Sequence, residues 1–144
     1  MDNSIVEHVI VNNEEESKKL AQKVASNIKS GDVIIFEGGL GSGKSFFCRE
    51  IIKRLCGSNT KVTSPTFNLL QTYESENFTI YHYDLYRVEH ISELYELGFE
   101  DALSGNVTLV EWPELAQSLL PDNLIFIKIR IIDETTRRIL FKKY

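Results

Sequence analysis

The stretch Val33-Ile34-Ile35-Phe36-Glu37-Gly38-Gly39-Leu40-Gly41-Ser42-Gly43-Lys44-Ser45 decides the fold. A short apolar run leads into a glycine-rich loop, and residues 38–45 fit the pattern G-x-x-x-x-G-K-[ST] in full. Glycines let successive backbone N–H groups turn inward towards phosphate oxygens. A helix beginning after the loop adds the positive end of its dipole. The sequence therefore predicts a phosphate-binding loop between a buried strand and a helix.

Two side chains of this loop carry chemistry. Lys44 is expected to reach the β- and γ-phosphates of a nucleotide, and the Ser45 hydroxyl to ligate magnesium. The alternative is a glycine-rich turn that binds nothing. The apolar strand before the loop and the helical pattern of residues 46–55 after it argue against that alternative, because they are the context that the motif requires.

An acidic group is expected near the metal, because phosphoryl transfer and hydrolysis need one. The apolar run Val107-Thr108-Leu109-Val110 ends in Glu111, which would hold magnesium directly or through water. The alternative is a carboxylate at a strand end that only faces water.

A second acid ends another apolar strand in His82-Tyr83-Asp84. Strand alternation places His82 and Asp84 on the same face. Asp84 is a candidate near the metal or the attacking water, and a structural role for this pair fits the pattern equally well. The loop Thr63-Ser64-Pro65-Thr66 is rich in hydroxyls, as are loops that close over a γ-phosphate, although an ordinary surface loop is an alternative.

The rest of the chain predicts one α/β domain over residues 1–144. Five further strands and two further helices are expected. The strands are 5–11, 67–73, 78–83, 124–131 and 138–141; the helices are one that begins after Asn13 and ends at Ser30-Gly31, and one over 91–97.

Composition excludes several classes of protein. With 42% hydrophobic and 26% charged residues the chain is typical of a folded globular protein. No apolar run approaches the roughly 20 residues that span a bilayer, and residues 1–4 do not resemble a signal peptide. We therefore expect a cytoplasmic protein that does not bind membranes.

The net charge of −5 argues against direct binding of DNA or RNA, because affinity for nucleic acids comes mainly from basic residues on phosphates. If tRNA is involved, another protein is expected to hold it. Cys48 and Cys56 are expected to be reduced thiols, since no second cysteine pair or histidine cluster has metal-ligand spacing.

Four motifs together resemble one family. They are Gly-x-Leu-Gly-x-Gly-Lys-Ser (38–45), Val-Thr-Ser-Pro-Thr-Phe (62–67), His-Tyr-Asp-Leu-Tyr-Arg (82–87) and Leu-Val-Glu-Trp-Pro-Glu (109–114). In order and spacing they are similar to the bacterial TsaE (YjeE) ATPase family, which serves in biosynthesis of N6-threonylcarbamoyladenosine in tRNA. The resemblance runs from the first strand to the last.

The resemblance implies a P-loop NTPase-like, three-layer α/β fold with a mixed parallel and antiparallel sheet. It implies ATP and Mg2+ as cofactors, with Ser45 and Glu111 on the metal and Lys44, Asp84 and Glu111 in catalysis. It also implies a switch-like loop over residues 64–67. The residues that it places against the nucleotide are Leu40, Gly41, Ser42, Gly43, Lys44, Ser45, Glu14, Thr66, Trp112 and Arg137.

The resemblance further implies partners. Members of the family work with TsaB and TsaD; TsaD transfers threonylcarbamoyl to adenosine, and the ATP cycle of TsaE is thought to reset that complex. Three positions depart from the usual family pattern, although none breaks the motif. Gly39 stands where Asp is usual, Ser42 where Ala is usual, and Ser45 where Thr is common.

Three other functions compete with a partner-regulated ATPase. A small-molecule kinase is the main alternative, but no arginine-rich lid follows Glu111. A GTP switch lacks an Asn-Lys-x-Asp string to bind guanine. A module that binds nucleotide without hydrolysing it fits less well with the paired acids Asp84 and Glu111.

Overall fold

The computed structural model describes residues 5–144, so the expectation about a leader in residues 1–4 lies outside the described part. That part forms seven strands, four α-helices and one 3₁₀ helix. The strands are β1 Ile5–Val11, β2 Val33–Glu37, β3 Leu70–Glu74, β4 Thr79–Asp84, β5 Val107–Glu111, β6 Ile125–Ile131 and β7 Arg137–Lys143. The helices are α1 Glu14–Ser26, α2 Lys44–Cys56, α3 Ser92–Glu96 and α4 Phe99–Ala102, and a 3₁₀ helix spans Pro113–Leu119. No helix of the described residues is long and apolar enough to cross a membrane.

The strands form one mixed sheet in the order β1-β7-β6-β2-β5-β4-β3. Its centre is parallel, because β2 pairs in parallel with β5 and β6, and β4 pairs in parallel with β5. The outer strands β1, β7 and β3 pair antiparallel. The predicted mixed α/β sheet is thus confirmed, and the apolar runs of β2 and β5 lie at its centre, where both faces are covered.

Helices cover both faces of the sheet, which gives three layers. Side chains alternate along β2, so Ile34 and Phe36 pack with α1 and α2, whereas Ile35 packs on the opposite side. That opposite side holds a second buried cluster, to which α3, α4 and the 3₁₀ helix contribute Leu94, Phe99 and Ala116.

This topology brings the sequence motifs together. The neighbours β2, β5 and β4 are parallel, so their carboxyl ends lie at one edge of the sheet, where α/β proteins bind ligands. The glycine-rich loop follows β2, Glu111 ends β5, and Asp84 ends β4 directly opposite Glu111 in register.

Several predicted boundaries were wrong. The strand expected from Phe67 begins at Leu70, because a turn precedes it in which the Leu69 N–H donates to Pro65 O at 2.7 Å. Phe67 is 81% exposed, so its apolar character did not indicate burial. Helix α1 ends at Ser26 rather than near Ser30, and helix α4 and the 3₁₀ helix were not predicted.

Candidate functional site

A cleft of about 430 Å³ lies between the glycine-rich loop and the ends of β4 and β5. Most of the predicted site residues line it, although their motifs are far apart in the sequence. The lining residues are Gly39, Leu40, Gly41, Ser42, Gly43, Lys44, Ser45, Phe46, Thr66, Asp84, Tyr86, Arg87, Glu111 and Trp112.

The loop is shaped by glycine at two positions. A Cβ on Gly38 would lie 2.7 Å from the Ile129 carbonyl oxygen, so the backbones pack too closely there for a side chain. Gly43 has a φ of 107° and is the N-cap residue of α2, where no side chain caps the helix. The first-turn N–H groups of α2 therefore lack a side-chain acceptor, as suits a helix end that binds an anion.

Lys44 is buried at the base of the cleft. Its Nζ donates to Gly38 O at 2.6 Å and lies 3.3 Å from the centroid of the Trp112 ring. Burial lowers the pKa of Lys44, while Glu111 and Asp84 oppose that shift through their negative charge. An anion entering the cleft would stabilise this ammonium further, because a desolvated cation gains most from an opposite charge.

Ser45 and Glu111 meet across the cleft. The Ser45 Oγ donates to Glu111 Oε1 at 3.0 Å, and Glu111 is 2% exposed. Magnesium takes oxygen ligands at 2.0–2.1 Å in an octahedron, whose adjacent ligands are ~3 Å apart. The hydroxyl and carboxylate oxygens therefore have the spacing and the hardness that Mg2+ prefers.

Asp84 lies beside Glu111 but is held differently. Its Oδ1 accepts from the Tyr86 N–H at 3.1 Å, a contact within its own segment. Burial raises the pKa of Asp84, the Tyr86 hydrogen bond opposes the shift, and Glu111 adds to it. A carboxylate with a raised pKa beside the Ser45 and Glu111 oxygens is suited to accepting a proton.

The hydroxyl-rich loop reaches the cleft through Thr66. Within the loop, the hydroxyls of Ser64 and Thr66 are hydrogen-bonded at 2.8 Å. Phe67 next to them is exposed and lies under the Arg87 guanidinium, whose carbon is 5.0 Å from the ring centroid. The loop thus stands at the mouth of the cleft.

Glu14 and Arg137 lie on the other side of the glycine-rich loop. They line a neighbouring cavity together with Gly41 to Gly43 and Thr135. The Arg137 Nε donates to Ser42 O at 3.1 Å, so β7 is attached directly to the loop. The structure therefore brings both residues to the loop, although not to the cleft that holds Glu111.

Both cysteines are free thiols, and Cys48 is fully buried on α2. One potential ligand atom from each of Cys48, His82 and Glu111 lies within 4.8 Å of the others. Burial raises the pKa of the Cys48 thiol well above its usual value. A protonated thiol is a poor metal ligand, because metals bind the thiolate.

Some residues at this site had no functional role predicted from the sequence, among them Tyr86, Arg87 and His82. Tyr86 and Arg87 line the cleft, and His82 contacts Glu111. His82 shares a strand face with Asp84, which was visible in the alternation of β4. Its partner was not visible, because contact with Glu111 depends on the register between β4 and β5.

Comparisons with known proteins point to one family. The family model "Threonylcarbamoyl adenosine biosynthesis protein TsaE" matches residues 11–139. The chain is 57% identical to the tRNA threonylcarbamoyladenosine biosynthesis protein TsaE of Rickettsia felis over 129 residues, covering 90% of this chain and 75% of the relative. It is 38% identical to that of Bacillus subtilis over 130 residues, covering 90% and 80%. The crystal structure of Bacillus subtilis YdiB superposes with a TM-score of 0.80 and 28% identity, over 99% of this chain and 88% of that one.

Proposed function

The chain belongs to the TsaE family of threonylcarbamoyladenosine biosynthesis proteins, and we propose that it binds and hydrolyses ATP with magnesium in that process. One observation carries the proposal. Ser45 at the start of α2 and Glu111 at the end of β5 offer two hard oxygen atoms 3.0 Å apart beside Lys44. This is the arrangement in which a P-loop protein holds the metal of a nucleotide.

Each side chain of the cleft has a role in this proposal. The backbone of residues 40–45 and the start of α2 bind the phosphates, and Lys44 leaves the Gly38 carbonyl to bind the β- and γ-phosphates. Ser45 and Glu111 hold Mg2+, which supplies neutralisation of the charge that develops on the phosphate oxygens. Thr66 brings the hydroxyl-rich loop over the γ-phosphate.

Asp84 acts on the water in the proposed reaction. Its carboxylate orients the water and accepts its proton as the oxygen attacks the γ-phosphorus. The bond from that phosphorus to the bridging oxygen breaks, and ADP leaves with its terminal phosphate deprotonated. Trp112 borders the phosphates, and Glu14 and Arg137 are assigned to the base, because their cavity adjoins the loop on its other side.

We further propose that TsaB and TsaD are the partners and that tRNA is reached only through them. The net charge of −5 supports this division, because a protein that holds tRNA alone is usually basic. Two observations support an ATPase that is slow alone. Phe67, in the loop proposed to cover the γ-phosphate, is exposed, and the hydrogen bond to the Asp84 side chain comes from Tyr86 in its own segment. Neither feature is attached to Ser45 or Glu111, which would hold the metal.

The test is ATP hydrolysis with magnesium, measured with the protein alone and with TsaB and TsaD from the same organism added. Stimulation by the pair, absent when magnesium is chelated, is the expected result. No hydrolysis in either condition would contradict the proposal. Transfer of phosphate to a small acceptor instead of water would favour the kinase alternative.

A further inference from the structure

His82 is a buried histidine that the proposed reaction does not use. It is 1% exposed and lies on β4, two residues before Asp84. Its Nε2 lies 2.7 Å from Glu111 Oε2, and both side chains are enclosed by the protein. A buried polar pair of this kind costs desolvation, so its presence calls for a physical explanation.

The pair places both Glu111 oxygens under constraint. An ionised carboxylate only accepts hydrogen bonds, so Nε2 of His82 must carry the proton and donate it to Oε2. The other oxygen, Oε1, accepts from the Ser45 hydroxyl. A rotation of the carboxylate that moved Oε1 away from Ser45 would also break the bond to His82.

Within the described part of the chain, the second ring nitrogen of His82, Nδ1, has no hydrogen-bond partner, so the contact of Nε2 with Glu111 is the hydrogen bond that orients the ring. Among residues 5–144, Nδ1 of His82 is a buried atom without a hydrogen-bond partner. A histidine retained only to satisfy buried polar groups would be expected to pair both nitrogens, since an unpaired buried polar atom costs about 1–3 kcal/mol. Among the described residues, Glu111 is thus the side chain to which the imidazole is hydrogen-bonded.

We propose that His82 is a positioning residue, which orients the Glu111 carboxylate so that Oε1 faces the magnesium site. The inference rests on the proposed magnesium-dependent function. Hydrogen-bond partners behind a metal ligand fix its orientation and raise its affinity for the metal. His82 touches neither nucleotide nor metal in this arrangement and acts through Glu111.

The competing explanation is that the pair only stabilises the fold. A stabilising role predicts that any loss of the hydrogen bond lowers the melting temperature and leaves magnesium dependence unchanged. A positioning role predicts weaker magnesium binding whenever the donor at Nε2 is absent. The two explanations therefore differ in one measurable quantity, the dependence of nucleotide binding on free Mg2+.

Two substitutions separate them. His82→Gln keeps an N–H donor near the position of Nε2, whereas His82→Asn has a shorter side chain whose amide lies near Nδ1 instead. The control is Thr108→Val on β5, which removes another fully buried hydrogen bond, from Thr108 Oγ1 to Ala102 O at 3.0 Å. That bond does not involve Glu111.

The measurement is the affinity of each variant for a fluorescent ADP analogue at increasing free Mg2+. We expect the half-saturating Mg2+ concentration to rise about tenfold in His82→Asn, as for other partners behind metal ligands. It should stay within about twofold of wild type in His82→Gln and in Thr108→Val, although Thr108→Val should melt earlier. Equal Mg2+ dependence in all the variants, with wild type still magnesium-dependent, would overturn only this inference. Wild type whose binding of the analogue does not depend on Mg2+ would overturn this inference, and wild type whose ATP hydrolysis does not depend on Mg2+ either would overturn the proposed function with it.

A measurement on wild type covers the case in which His82→Asn does not fold. The chain has three histidines, and His8 and His90 are exposed and serve as internal references in imidazole ¹⁵N spectra. We expect His82 to show a protonated Nε2 and to shift when Mg2+ is added to the ADP complex. A His82 signal that does not change on addition of Mg2+ would contradict the positioning role.

Discussion

The ends of β5 and β4 lie side by side and each carries a buried carboxylate, yet the two carboxylates are held in different ways. Glu111 is hydrogen-bonded to Ser45 on α2 and to His82 on β4, so three elements fix it. In the described residues the Asp84 side chain accepts one hydrogen bond, from Tyr86 two residues further on.

This difference divides the cleft into a preformed half around Ser45 and Glu111, the Glu111 half, and an unformed half around Asp84 and Phe67, the Asp84 half. The Glu111 half already holds a hydroxyl and a carboxylate oxygen at the spacing of adjacent metal ligands, so only the Ser45 hydroxyl proton would have to turn away. The Asp84 half carries a carboxyl whose pKa is raised by burial and a neighbouring loop whose Phe67 is exposed. Magnesium binding should therefore depend mainly on the Glu111 half, whereas the rate of hydrolysis with magnesium bound should depend on what completes the Asp84 half.

The largest effect should come from Lys44, which interacts electrostatically with both carboxylates. We expect Lys44→Ala to lose about 100-fold or more in turnover, because it removes the cation that stabilises charge on the transferred phosphate. ATP hydrolysis and ADP binding measure this. The control is Arg54→Ala, an exposed cation on the same helix. Equal activity of the two variants would contradict the assigned role of Lys44.

The next effect separates the two halves. We expect Glu111→Ala to retain ADP binding without magnesium but to lose magnesium-dependent turnover by about 10–100-fold, the range for losing groups around a metal. Binding measured with and without a chelator, alongside hydrolysis, tests this. Glu100→Ala removes an exposed carboxylate on α4 that does not line the cleft, and should behave as wild type. A Glu111→Ala variant with full turnover would place the metal acid elsewhere.

The signals that predicted the Glu111 half are local. The loop pattern, the apolar strands and the terminal Glu111 each lie within a short stretch, and parallel strands bring their carboxyl ends together. The mixed parallel and antiparallel sheet was predicted from the family resemblance and not from these local signals. The Phe67 strand was mispredicted because its signal was apolar composition, and the turn from Pro65 that exposes Phe67 has no apolar signature.

Contacts that depend on how neighbouring strands align with one another could not be predicted from the sequence. His82 pairs in register with Leu109, so its reach to Glu111 is diagonal and depends on how β4 aligns with β5. The contact of Arg137 with the Ser42 carbonyl likewise depends on β7 crossing beside the loop. The assigned roles of all the site residues stay predictions until binding and hydrolysis are measured.

A smaller effect tests the unformed half through stability. The folded-state pKa of Asp84 lies above the ordinary aspartate value of 3.8. Its stabilising contribution is therefore present below that value and lost as pH rises through the folded pKa. At neutral pH we expect Asp84→Asn to be more stable than wild type, by up to about 1 kcal/mol, and to hydrolyse ATP more slowly. The advantage should shrink as pH falls towards about 4.

Thermal melts across that pH range check the prediction, with Asp101→Asn on α4 as the matched exposed control. The Tyr86 N–H can still donate to the amide oxygen of Asn, so the substitution removes charge and keeps the local hydrogen bond. An Asp84→Asn variant that is less stable than wild type at neutral pH would show that this carboxylate is anchored as firmly as Glu111.

The smallest effect is expected at Gly39, in the loop that faces both carboxylates, and Gly43 in the same loop is its contrast. Gly39 is exposed, has no positive φ and has nothing within 4 Å of an added Cβ, whereas Gly43 has a φ of 107°. Gly43→Ala should therefore cost about 1–2 kcal/mol of stability from left-handed strain. Gly39→Asp, which introduces the residue usual in the family, should change stability by less than about 0.5 kcal/mol.

The remaining effect of Gly39→Asp is electrostatic. An added negative charge beside the phosphates should weaken ADP binding by no more than about 1 kcal/mol, because exposed charges interact weakly in water. Salt should reduce the difference. Gly39→Asn, of the same shape and without charge, is the control and should bind as wild type. A loss of affinity in both Gly39→Asp and Gly39→Asn would mean that the loop needs glycine at this position for its shape, and that position 39 does not tolerate a side chain.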